Sequence, residues 1–139
     1  MDLTTFLALS EALTGFSEFD LRATGQAEAY RAKTNSKLGE ALMGAIEGTW
    51  APLAHRGAAE RAAGVGAMMG SAPIGEPLRQ IALLWYTGAW YTDARYGYAT
   101  LSGQAYQKGL MWKAIGAHPM AAEPQGFGAW SLPPPEPSA

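Results

Sequence analysis

The chain has 139 residues and a mass of 14.7 kDa, enough for one domain with a modest core and too little for two. Its 10 basic and 12 acidic residues give a formal net charge of -2 with no basic cluster, which argues against the phosphate-neutralising face of a sequence-independent nucleic-acid binder. There is no cysteine, so disulfides, thiolate zinc sites, cysteine-ligated iron–sulfur clusters and covalent c-type haem are all excluded.

Apolar residues make up 48% of the chain and charged residues only 16%, against roughly 25% charged in ordinary soluble chains. An under-charged surface combined with 5 Trp, 6 Tyr, 4 Phe and 6 Met suits a surface partly covered in a complex. A well-filled core with some exposed aromatics accounts for the same composition. No apolar run reaches membrane-spanning length, because Arg79, Asp93, Lys108 and Lys113 interrupt the candidates. The first residues carry Asp2 and Glu11 and lack a basic region, so they do not read as an export signal.

In chain order, Leu3, Phe6, Leu7, Ser10, Ala12 and Leu13 recur at helical spacing, and Gly15 follows where a left-handed cap is expected. This predicts a first helix from Leu3 to Thr14. Asp20 is expected to cap a second helix through Lys33, with Leu21, Ala29 and Ala32 inward. Ser36 opens a third, with Leu38, Leu42, Ala45, Ile46 and Thr49 as one stripe. From Ala51 to Pro77 glycines interrupt many alanines, which predicts a weak helix from Ala58 to Met69 and then a turn. Pro77 suits the first turn of the next helix, which runs to about Gly88 with Leu78, Ile81, Ala82, Trp85 and Ala89 on one side. Ala89 to Gly97 reads as a loop with a short extended piece. Ser102 caps a last helix to Ile115, placing Tyr106, Leu110, Lys113 and Ala114 on one face.

Nothing alternates with period two for long enough to make a sheet. The expected fold class is all-α, a single small domain of five or six short helices over residues 1–116 with an irregular, extended arm over 117–139. That arm is rich in Pro and Gly but carries Met120, Phe127, Trp130 and Leu132. Large apolar side chains are unusual in a solvated tail, so the arm is expected to dock on its own domain or on a partner.

The two histidines, His55 and His118, are not at metal-ligand spacing from one another or from a carboxylate pair. His118-Pro119, just after Gly116, reads as a helix exit whose ring caps the last carbonyls. The carboxylates are scattered over caps and polar faces, and no Ser, His and acid set stands out. Gly64-Val65-Gly66 lacks the preceding strand and the Lys-Ser/Thr ending of a phosphate loop. The set Trp85, Tyr86, Trp90, Tyr91, Tyr96, Tyr98, Tyr106, Trp112, Phe127 and Trp130 could build a core, a ligand pocket or a partner surface. Adjacent helical residues such as Trp85 and Tyr86 point about 100° apart and cannot both face one element.

Three ordered motifs carry a resemblance. They are Phe6-Leu7-Ala8-Leu9-Ser10-Glu11-Ala12-Leu13-Thr14-Gly15, Leu84-Trp85-Tyr86-Thr87-Gly88, and Tyr106 to Pro119 followed by Gly126-Phe127-Gly128-Ala129-Trp130-Ser131-Leu132-Pro133. Together they resemble the small subunit of bacterial membrane-bound FAD-dependent sugar and polyol dehydrogenases, the sorbitol and fructose dehydrogenase small-subunit family. The resemblance implies a non-catalytic helical subunit that assists maturation and export of a large FAD-containing flavoprotein of the glucose-methanol-choline type, often beside a multihaem cytochrome c subunit. It implies a periplasmic location, membrane association only through the complex, no catalytic residue, no metal site and no cofactor in this chain, with FAD in the partner. The resemblance also implies a twin-arginine export signal ahead of the first motif; as the sequence starts almost directly at that motif, the expectation is either a mature or trimmed form or a different export route.

The partner surface expected on this reading is Trp85, Tyr86, Trp112, His118, Pro119, Phe127 and Trp130. The alternative is a small helical ligand-binding protein whose aromatics line a pocket. An enzyme acting alone needs a nucleophile or an acid–base pair that the sequence does not display.

Overall fold

The computed structural model describes residues 1–93, 97–119 and 131. The described residues are mostly helical, with one small two-stranded sheet among them, consistent with the expected all-α class. It divides into two compact units, Met1–Leu83 and Leu84–Ala139.

In the first unit, α1 spans Leu3–Thr14, the predicted bounds. Asp2 caps it by accepting the Thr5 N–H at 2.9 Å, and Gly15 ends it at φ 77° with its N–H donating to Glu11 O. Local chemistry at both ends sufficed here. Phe6, Leu7 and Leu9 are buried. α2 is one and a half turns, Glu18–Ala23, and its cap is Ser17 rather than Asp20. Ser17 Oγ accepts the Asp20 N–H at 3.2 Å and donates to the Asp20 carboxylate at 2.6 Å, so Asp20 occupies the third helical position of a capping pair.

α3, Ala27–Trp50, replaces the expected boundary at Ser36 with a sharp kink at Gly39, where φ is 70° and ψ 166°. Ser36 lies inside the helix and donates to Lys33 O at 2.8 Å. The buried set is Ala27, Tyr30 and Thr34 before the kink and Met43, Ile46 and Trp50 after it. Ala29, Ala32, Ala45 and Thr49, expected inward, are exposed, and Leu38 and Leu42 are half-buried.

α4 spans Ala58–Met69 as predicted. Glu60 accepts the Gly57 N–H at 3.2 Å, holding the helix entrance, and Gly64 sits where the Leu53 side chain passes. α1 packs against α2, α3 and α4. α5, Gly75–Thr87, begins two residues before Pro77. Gly75 is placed where a Cβ would run into the Met69 carbonyl, and Arg79 Nη1 donates to that carbonyl at 2.6 Å. Ile74, Leu78, Ile81, Leu84 and Trp85 are buried, while Ala82 is only half-buried.

The second unit opens on the end of α5. Ala89 to Gly97, expected as a loop with a short extended piece, carries that piece as a paired strand: β1, Ala89–Asp93, runs antiparallel to β2, Gly97–Thr100, in register Ala89↔Thr100, Trp90↔Ala99 and Tyr91↔Tyr98. Each strand is too short to display alternation in sequence. Pairing with its neighbour defines it. The predicted last helix is two: α6, Gly103–Gln107, capped by Ser102 as expected, and α7, Leu110–Ile115, with a break at Lys108 and Gly109. Because that break resets the phase, Lys113 and Ala114 are exposed rather than inward.

Candidate partner surface

The Leu84–Gly88 and Tyr106–Pro119 segments, distant in sequence, are brought together in the second unit. Gly88 ends α5 at φ 69°, donates its N–H to Leu84 O at 2.9 Å and accepts the Leu101 N–H at 2.9 Å. A Cβ on Gly88 would collide with the Ala105 carbonyl group, and a Cβ on Gly109 would lie 2.5 Å from Tyr86 O. Glycine is therefore needed at two points of one contact. Each lets backbone approach backbone where any side chain would stand between.

Around this contact the aromatics separate. Trp85 is fully buried and belongs to the core of its own chain. Tyr86 is half-buried on the adjacent helical position, as the angular offset of neighbours requires. Trp112 is half-buried; its indole N–H donates to Tyr106 O at 2.9 Å, and its ring meets that of Tyr106 edge to face, with centroids 5.4 Å apart. Its polar handle is thus engaged within the chain, leaving ring surface for contact. Tyr91 and Tyr98 form a cross-strand pair at 5.7 Å, with Tyr98 exposed.

α7 ends on a Schellman motif, in which Ala117 N donates to Trp112 O at 2.9 Å and Gly116 N to Lys113 O at 3.3 Å, with Gly116 at φ 63°. Backbone groups thus cap these carbonyls, the role that the sequence suggested for the His118 ring. His118 is buried and Pro119 half-buried. Phe127 and Trp130, the remaining expected surface residues, lie outside the described residues, as does most of the arm.

Sequence reasoning missed Ile115, which is 68% exposed at the end of α7. The signal was present in its place off the Tyr106–Leu110 face, but treating α6 and α7 as one helix hid it. Phe19 in the first unit is also exposed, at 75%.

Gly64 and Gly66 lie inside α4 and form no phosphate loop. Among the described residues no group of His, Asp and Glu could hold a metal ion, and no helix is long and apolar enough to cross a membrane. Among the described residues, burial pushes the Tyr30 phenol up, hydrogen bonds from Thr5 hold the Asp2 carboxyl down, and hydrogen bonds from Gln80 and Arg79 hold the Glu76 carboxyl down. No protein-family model, curated protein or solved structure matches this chain.

Proposed function

We propose that this chain is a non-catalytic accessory subunit of an FAD-dependent sugar or polyol dehydrogenase complex, pairing with the large flavoprotein and assisting its maturation. The supporting observation is that Leu84–Gly88 and the start of Tyr106–Pro119 meet through Gly88 and Gly109 in one small unit. These are segments on which the family resemblance rests. In that unit Ile115 is exposed and Tyr86 and Trp112 are half-buried. An exposed apolar side chain and half-buried aromatics in one small unit have the composition of an interface centre.

In this reading the electron chemistry belongs to the flavoprotein, and a multihaem cytochrome c completes the complex. The accessory chain stabilises the folded flavoprotein by mass action without contributing a reacting group. Its place is the periplasmic face of the inner membrane, held there by its partners. Phe127 and Trp130 of the arm extend the contact on the sequence argument alone.

Co-expression with the products of its neighbouring genes tests the reading, a flavoprotein being expected among them. A stoichiometric complex is expected, and omitting this chain should lower the yield of active flavoprotein far more than the activity per bound flavin. Recovery of this chain without a flavoprotein, from cells in which both are made and folded, overturns the proposal.

A further inference from the structure

The two buried sets of α3 lie out of phase. From Thr34 to Met43 is nine residues, and at about 100° per residue a continuous helix would turn these side chains roughly half a revolution apart. Tyr30 and Ile46, and Thr34 and Trp50, are offset by nearly the same amount. A straight α3 would therefore show one apolar set on each of two opposite sides. Gly39 reconciles them by adopting a backbone region essentially confined to glycine.

The bend is visible independently at Met1, whose backbone N lies 3.5 Å from Asn35 Oδ1 and 3.2 Å from Glu47 Oε1. Along a straight helix those two residues would stand about 18 Å apart, beyond the reach of both side chains. Gly39 itself is exposed, and a Cβ built on it meets no atom within 4 Å. Its dihedral angles, and not lack of space, require glycine.

We propose that Gly39 is the hinge of an exchanged dimer in which α3 straightens and the segment from Glu40 through α4 joins α1 of a second copy. α4 packs on α1 and Glu47 of the second half of α3 pairs with the Met1 amine, so this part of the chain needs the surface at the start of the chain, and a second copy supplies an identical one. The exchange is reciprocal and closes with two-fold symmetry. The contacts of α1 with α4, including Arg61 Nη2 on Glu11 Oε1, and the pairing of the Met1 amine with Glu47 Oε1 re-form between copies. Only the backbone around Gly39 changes conformation.

The chain has no cysteine, so a Glu11→Cys, Arg61→Cys pair bridged by a short bis-maleimide reports whether α1 and α4 in contact belong to one chain or two. Refolded from denaturant at low concentration, the parent is expected to give cross-linked monomer, and at high concentration a growing share of cross-linked dimer. Gly39→Ala resists the kinked backbone and accepts the helical one, so it should bring the dimer in at a roughly tenfold lower protein concentration or less. If the parent remains monomeric across the whole series, or dimerises with the bridge still within one chain, the proposal is overturned. The parent series decides the matter by itself if Gly39→Ala loses its helical circular dichroism.

Discussion

Arg61 on α4 donates from Nη2 to Glu11 Oε1 on α1 at 2.9 Å, across fifty residues of chain. The other oxygen of the same carboxylate, Oε2, accepts the Glu18 N–H at the start of α2, also at 2.9 Å. A single half-buried side chain thereby ties three helices, joining a helix start left without an intrahelical partner to a charge on another element.

The two partners of this pair are consequently unequal. Arg61→Ala removes one ion pair and should cost under about 1 kcal/mol. Glu11→Ala also strips the acceptor from Glu18 N and should cost about 1 to 3 kcal/mol. Urea unfolding of both variants checks the order, and equal losses would show that the Glu18 contact contributes nothing.

Acid should weaken the first unit through Asp2 and Glu76. The Asp2 carboxyl is held below its ordinary 3.8 chiefly by the Thr5 backbone N–H and then by the Thr5 hydroxyl, and Glu76 below 4.5 chiefly by Gln80 and then Arg79. Both groups have folded-state values below their unfolded ones, so their contribution is present above those ordinary values and is lost as pH falls through the lowered ones. Stability measured from pH 6 down to about pH 2 should fall most steeply below about pH 4. Asp2→Asn, which keeps the cap but cannot titrate, should flatten part of that fall.

Thr34 is fully buried on α3, and its hydroxyl has no hydrogen-bond partner among the described residues. Thr14 and Thr49 each bond the carbonyl four residues back. Burying an unsatisfied hydroxyl is unfavourable, so Thr34→Val, of nearly the same shape, should leave stability unchanged or raise it by about 1 kcal/mol. A loss of more than that on thermal unfolding would reveal a partner for the hydroxyl.

Glycines at positive φ should separate by what surrounds them. Gly15→Ala meets nothing within 4 Å and should cost about 1 kcal/mol from the backbone alone. Gly88→Ala adds a collision with the Ala105 carbonyl and should cost well over about 2 kcal/mol. Similar urea midpoints for the two would mean that α6 moves aside freely.

Ile115→Lys changes an exposed side chain and should leave the isolated chain within about 0.5 kcal/mol of its parent. On the accessory-subunit reading it should sharply reduce recovery of the flavoprotein complex, because a charge placed at an interface centre is left desolvated. Undiminished recovery would place the contact elsewhere on the molecule.

The sequence by itself determined the elements whose ends are written in a few adjacent residues. α1 begins at Asp2 and stops at Gly15, α4 lies where alanines run between glycines, and Ser102 starts α6. In each case the deciding hydrogen bonds or propensities are local. What the sequence left open was decided by contacts between distant residues. The hairpin exists because Trp90 and Tyr91 find Ala99 and Tyr98, and neither short strand declares itself alone. The inward faces of α3 follow from where α1 lies and from the kink at Gly39, so a stripe drawn at helical spacing through Leu38 and Thr49 carries the wrong phase. The division of the aromatics into a buried Trp85 and a half-covered Trp112 has the same origin. Periodicity states which residues share a face, but only the arrival of α6 and α7 at Gly88 and Tyr86 determines how the second unit covers its faces.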